Sequence, residues 1–195
     1  MQINFSQISP LIKYKILSNS ITPRPIAWIV TVSANGVINL APFAFFAPIS
    51  SDPVVFSICF SLKSNGESKD TFKNIMQEKK ATICMCDVKN LKSLHLSSQE
   101  LDSQTSEALA FNIELEIKNP LYPPVPKFTQ AAFMCDFFDI LEIGKSSKTL
   151  LLEAKEFFIQ DDLYNPSFDF KLKNIGRVGK EYQVSEKYIH SRELL

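Results

Sequence analysis

With 195 residues, 45% of them hydrophobic, the chain is long enough to bury one sizeable core, and a single domain over 1–195 is expected. Its 21 basic and 21 acidic residues cancel, which argues against a nucleic-acid or acidic-membrane partner. The apolar runs Leu40–Ile49 and Val54–Phe60 are too short to cross a bilayer, and Met1–Pro10 lacks the cationic start and apolar core of an export signal.

In chain order, Ile26–Val32 (IAWIVTV) is rich in β-branched and aromatic residues and predicts a strand. Ser33-Ala34-Asn35-Gly36 supplies a tight turn into a second strand, Val37–Leu40. Ala41–Ile49, bounded by Pro42 and Pro48, continues the sheet with a bend, and Val54–Ser61 follows as a further strand. Asp70–Glu78 reads as a helix, with Phe72, Ile75 and Met76 on one face and Ser68 available as N-cap. Ala81–Cys86 is the next strand and Leu91–Leu101 the second helix, and the polar stretch Ser97–Ala108 is expected to be an exposed excursion. Phe111–Ile117, Ala131–Ile143 and Leu150–Ile159 complete the strands, and the prolines of Pro120–Pro126 impose an extended loop. Strands outnumber helices without a βαβ rhythm, so a mostly antiparallel barrel is expected and a doubly wound sheet is not.

Cys59, Cys84, Cys86 and Cys135 all lie in hydrophobic stretches and read as reduced, buried thiols of a cytoplasmic protein. A zinc site is not expected, because Cys84 and Cys86 are separated by one residue and strand alternation points them to the same face.

Four segments carry polar chemistry. In Ser20–Thr31, Arg24 is held between two prolines at the mouth of a strand, where a guanidinium suits a phosphate or carboxylate; the plainer reading is a surface arginine in a stiff loop. In Asn39–Ser50, Phe43, Phe45 and Phe46 offer a wall for a planar ring, or core packing, and Asn39 and the backbone near Pro42 offer hydrogen bonds. In Gly66–Ile75, Ser68, Lys69 and Thr71 gather at a helix start and could receive a monophosphate, or simply cap the helix. Gly176–Tyr182 (GRVGKEY) suggests a tight loop presenting Arg177 outward.

Pro23–Thr31 (PRPIAWIVT), Asn39–Phe46 (NLAPFAFF), Lys69–Ile75 (KDTFKNI) and Gly176–Tyr182, in this order, resemble the flavin reductase-like, FMN-binding split-barrel family from about residue 18 to 182. The resemblance implies a mostly β fold, a Greek-key split β-barrel with a few helices, and a homodimer with FMN near the interface. It assigns Arg24 and Thr31 to the flavin site, and Asn39, Leu40, Ala41, Pro42 and Phe43 to isoalloxazine contacts made largely by backbone groups. Ser57, Ser68, Lys69 and Thr71 are assigned to the ribityl phosphate, Asn74 to support of the loop, and Arg177 to the pocket mouth, from this chain or from the dimer partner. Many members carry serine where this chain has Val30 and Ala44.

The implied activity is transfer of electrons from NADH or NADPH through FMN to a flavin or other small acceptor, the cofactor doing the redox chemistry. The alternative is a non-catalytic FMN carrier or redox-sensing flavoprotein; a pyridoxamine-phosphate oxidase-like enzyme ranks behind both. His95 and His190 lie outside the motifs and receive no acid–base role. No second anion site for a dinucleotide is legible in the sequence.

Overall fold

The computed structural model describes residues 2–143 and 147–184, so His190 lies outside the described residues. After a single 3-10 turn (Phe5–Gln7) comes helix α1 (Pro10–Ser20), started by Ser9, whose hydroxyl accepts from the Ile12 N–H, and by Pro10 in the first turn. This helix is absent from the sequence-based reading. Its apolar residues follow no one-sided stripe, and only Ser18 is buried, so the usual periodic signal is missing.

Strands β1 (Arg24–Pro25), β2 (Ala27–Val32), β3 (Ile38–Phe43), β4 (Phe46–Ser51) and β5 (Val54–Ser61) follow closely. The β2–β3 hairpin turns at Asn35-Gly36, where Gly36 has φ +78° and donates its N–H to Ser33 O at 2.8 Å. Helix α2 (Asp70–Glu78) buries Phe72 and Ile75 and ends at Lys79 in the left-handed conformation. Its N-cap is Lys69, without a side-chain capping bond, and not the expected Ser68. Then come β6 (Lys80–Met85), α3 (Leu91–Leu96), α4 (Glu107–Ala110), β7 (Leu115–Glu116), β8 (Val125–Pro126), β9 (Ala131–Leu141), β10 (Ser147–Ile159), β11 (Ile175–Val178) and β12 (Glu181–Val184).

Seven strands form one antiparallel sheet in the order β3-β2-β6-β9-β10-β5-β4. Its two edges, β3 and β4, are consecutive in the chain and joined only by Ala44 and Phe45. Three Cα steps span at most roughly 11 Å, so the sheet must curl until its edges meet. The edges are not paired with each other, and the fold is a split β-barrel. Ile29, Phe46, Phe56, Ile58, Ile83, Leu150 and Leu152 fill one core cluster together with Phe72 and Ile75 of α2. The alternate residues Trp28, Val30, Cys84 and Cys86 pack into a second cluster under α3 and α4. Strand β2 is therefore buried on both faces, which explains why IAWIVTV is apolar but for Thr31.

Three further expectations are corrected. Phe111–Ile117 is not a strand: the N–H groups of Phe111, Asn112 and Ile113 close the end of α4, and only Leu115–Glu116 pairs, with the proline-limited β8. The stretch 97–108 is not wholly exposed, since Ser97, Ser106, Glu107 and Ala108 are buried. The second helix stops at Leu96 instead of Leu101.

Candidate functional site

A cleft of about 560 Å³ opens between α1, the β3–β4 link and the strands β1 and β11, a size ordinary for a small-molecule site. Tyr14, Pro42, Phe43, Phe45 and Tyr182 give it an apolar, aromatic lining, with Cys59, Ser61, Ser98 and Ser147 supplying small polar groups. Lys13, Arg24, Lys69 and Arg177 also line it, and no carboxylate does among the described residues.

The arginines are placed by a small sheet, β1-β11-β12, separate from the barrel. Arg24 stands directly opposite Arg177, and Arg177 opposite Tyr182. Directly opposed residues of an antiparallel pair share one face with Cβ atoms about 5 Å apart, so the three side chains form a row. Glycine makes this approach possible: a Cβ on Gly176 would overlap Pro23 Cβ and lie 3.3 Å from its Cγ. At the hairpin turn, Gly179 has φ +50° and donates its N–H to Ser18 O at 2.9 Å, tying the hairpin to the end of α1.

Arg24 is only 7% exposed, and its Nε and Nη2 are buried without hydrogen-bond partners, as is Nη1 of Arg177. Each guanidinium instead lies over an aromatic ring: Arg24 5.4 Å from the Phe45 centroid, Arg177 4.3 Å from that of Tyr182. Phe45 also stacks on Tyr14 at 5.7 Å. The Tyr182 hydroxyl lies 3.1 Å from Nδ1 of His95, which holds the ring from outside the cleft.

Beside the cleft, sharing Pro42, Phe43 and Lys69 with it, is a narrow crevice of about 80 Å³ at the start of α2. Here each lysine has a carboxylate partner. Lys63 pairs with Asp70 at 2.6 Å, and Lys69 pairs with Glu100, which also accepts from Ser64 at 3.1 Å. Lys69 holds the Glu100 carboxyl below the usual carboxylate range. Asn39 Nδ2 donates to Thr71 Oγ1 at 2.7 Å. The buried Glu107 accepts the Leu40 N–H at 2.9 Å; burial pushes its carboxyl up, opposed by that bond. Leu40 lies on the outer edge of β3, where Glu107 satisfies a donor that no strand pairs.

The structure brings Arg24, Pro42, Phe43, Lys69 and Arg177 to the cleft, and Asn39, Ala41 and Thr71 to the adjoining crevice. Arg177 is not presented outward from a loop but sits half-buried on β11 of the same chain as Arg24. Thr31 is fully buried and accepts from Asn74 Nδ2 at 3.0 Å, so this pair ties β2 to α2 and does not line the cavities. The Leu40 side chain is buried in the second core cluster. Ser57 donates to Ala47 O at 3.4 Å, and neither it nor Ser68 lines the cleft or the crevice. Val30 points into the core, so a serine there would not face the cleft, whereas Ala44 does line it. Cys84, Cys86 and Cys135 are buried free thiols, and burial raises the pKa of each; Cys59 departs from expectation by being half-exposed at the cleft. Lys13 and Tyr14 went unread in the sequence because α1 went unread, and Tyr182 lay in a motif read for its loop and Arg177 but was given no role itself.

Comparison with known proteins agrees with this architecture. Residues 19–167 match the model of the flavin reductase like domain. A protein of Aquifex aeolicus, itself uncharacterized, is 26% identical over 175 residues, 88% of each chain. The crystal structure of nitrilotriacetate monooxygenase component B from Bacillus cereus superposes with a TM-score of 0.89 at 22% identity, covering 97% of this chain and 98% of that one. An FMN-binding protein from Thermus thermophilus, solved with bound 1-cyclohex-2-enone, gives 0.78 at 12% identity, covering 97% and 99%. The chain belongs to the flavin reductase-like domain family.

Proposed function

We propose that this flavin reductase-like chain is an FMN-dependent oxidoreductase that takes electrons from NADH or NADPH and passes them to a flavin or other small acceptor. The observation that carries this reading is the cleft itself: aromatic and apolar walls suited to a planar ring, four cations and no carboxylate among the described residues. FMN is a planar ring with an anionic tail, and the residues present fit it. Pro42, Phe43 and Phe45 would bear the ring, and Lys69 would draw the phosphate once Glu100 yields it. Bound FMN would supply the hydride and electron transfer. The chain's own residues orient the ligand, exclude water with the Tyr14–Phe45 stack, and keep the cleft positive.

A second copy of the chain is the proposed partner. Leu11, Leu17 and Ile21 on and just after α1 are 62%, 40% and 63% exposed beside the cleft, an apolar surface that a homodimer would cover. The free cysteines fit a reducing, cytoplasmic setting, and among the described residues no helix is long and apolar enough to cross a membrane.

The test is the visible spectrum of the purified protein, then anaerobic addition of NADH or NADPH, with light scattering for the dimer. A flavin band that bleaches at a catalytically useful rate supports the reductase and names the donor. A band that stays oxidised favours an FMN carrier or redox sensor. No flavin band, even with excess FMN, overturns the reading.

A further inference from the structure

Opposed arginines with aromatic rings for neighbours are an unusual arrangement in a folded chain. Like charges directly across an antiparallel pair repel, and burial removes the water that would screen them. Such a pair ordinarily has a carboxylate nearby, yet the cleft offers none among the described residues. Three guanidinium nitrogens are buried and unpartnered: Nε and Nη2 of Arg24 and Nη1 of Arg177. Arg24 is more than nine-tenths buried, so its idle donors are not hydrated surface groups. Phe45 and Tyr182 offset part of the charge through their π faces but accept no in-plane hydrogen bond.

We infer that Arg24 and Arg177 form a second oxyanion site, distinct from the one at Lys69, which takes the carboxylate or phosphate of the flavin's redox partner. Guanidinium forks suit both groups, because each presents two oxygens to parallel N–H donors. Lys69, on the crevice side, is the cation nearest the start of α2, and a flavin phosphate held there leaves the arginine pair without an anion. The ligand class is a planar or apolar molecule carrying an oxyanion: either an acidic acceptor or a dinucleotide donor. His95 acts as a positioning residue, holding Tyr182 and through it the Arg177 plane. The inference extends the FMN reading by naming the chemistry of the second ligand, and depends on it only in calling that ligand a redox partner.

Two probes separate the sources: benzoate for a carboxylate acceptor and ADP-ribose for the diphosphate of a dinucleotide. Each is titrated calorimetrically into FMN-loaded wild type, Arg177→Gln and Lys69→Gln, with FMN and riboflavin affinities measured in parallel. Wild type is expected to bind at least one probe, and Arg177→Gln to bind it at least about tenfold more weakly, as loss of charge-assisted hydrogen bonds implies. The preference for FMN over riboflavin should survive in Arg177→Gln and collapse in Lys69→Gln. Because Arg177 is half-exposed, its replacement is the safer variant for folding; Arg24→Gln serves as the second. Absence of probe binding by wild type, or equal binding by Arg177→Gln, overturns the site. So does loss of the FMN preference in Arg177→Gln, which would mean that the pair holds the flavin's own phosphate. If no flavin binds at all, the flavin reading fails, while the same titrations on the flavin-free protein still decide the arginine site.

Discussion

In the crevice at the start of α2, Lys63 has Asp70 beside it and Lys69 has Glu100. On the other side of Lys69, Arg24 and Arg177 share a cleft with aromatic rings and hydroxyls. The crevice draws its charges largely from one region of chain, residues 63–70, with Glu100 and Glu107 reaching in from beyond α3, and each of its lysines has a carboxylate partner without a ligand. The cleft draws its arginines from strands more than 150 residues apart, brought together by backbone pairing that takes no account of charge. The segment that reads most like a phosphate site in the sequence is thus the one that needs an anion least. Its lysine can be won only by displacing Glu100, whereas the arginine pair has donors waiting.

The contrast can be broken at three places. The largest effect is expected from Gly176→Val, since any Cβ there collides with Pro23 and forces β11 away from β1. Overpacking of this kind typically costs about 1–3 kcal/mol, a fall in Tm of several degrees for a chain of this size. Thermal melting should show that fall, and binding of whichever probe the wild type takes, benzoate or ADP-ribose, should vanish with it; a variant melting like wild type would show that β1 and β11 need no such closeness. Next is Arg24→Met, which removes a buried charge facing another of the same sign. In buffer free of oxyanions it should raise stability by about 1 kcal/mol, and the stabilisation that the bound probe, benzoate or ADP-ribose, gives wild type should be absent. If the variant melts below wild type in that buffer, the guanidinium is already well satisfied and the contrast between the cavities disappears. The smallest effect is expected at Glu100→Gln. An exposed ion pair is worth roughly 0.2–1 kcal/mol, so freeing Lys69 should tighten FMN binding about two- to threefold in a flavin titration. An unchanged or weakened affinity would place the phosphate elsewhere than Lys69.

Much of the barrel was legible from local sequence. The β2–β3 hairpin is announced by Asn35-Gly36, and β5 and α2 begin and end where their patterns say. What escaped reading had no local signal. Helix α1 lacks an apolar stripe because much of its surface lies on the cleft or stands exposed. The two glycines of the β11–β12 hairpin do signal a tight turn, but that they sit against Pro23 and Asn19, residues at the other end of the chain, shows in no local window. The side chains of Thr31 and Leu40, both in segments that the resemblance assigns to the flavin site, are buried, so any part Leu40 plays there falls to its backbone, as the assignment had it. A motif marks the backbone that builds a site, and only some of its side chains face the ligand.

Composition and periodicity by themselves determined that this chain is strand-rich and where most of its strands and α2 lie; that the polar motifs gather at one site came from the family resemblance. The elements follow from short-range rules: side chains alternate along a strand, and Gly or Pro fixes a turn wherever it stands. Tertiary structure alone decided which cations are neutralised and which are left with idle donors. That outcome depends on which distant strands meet, and charge pairing across 150 residues leaves no trace in any local window.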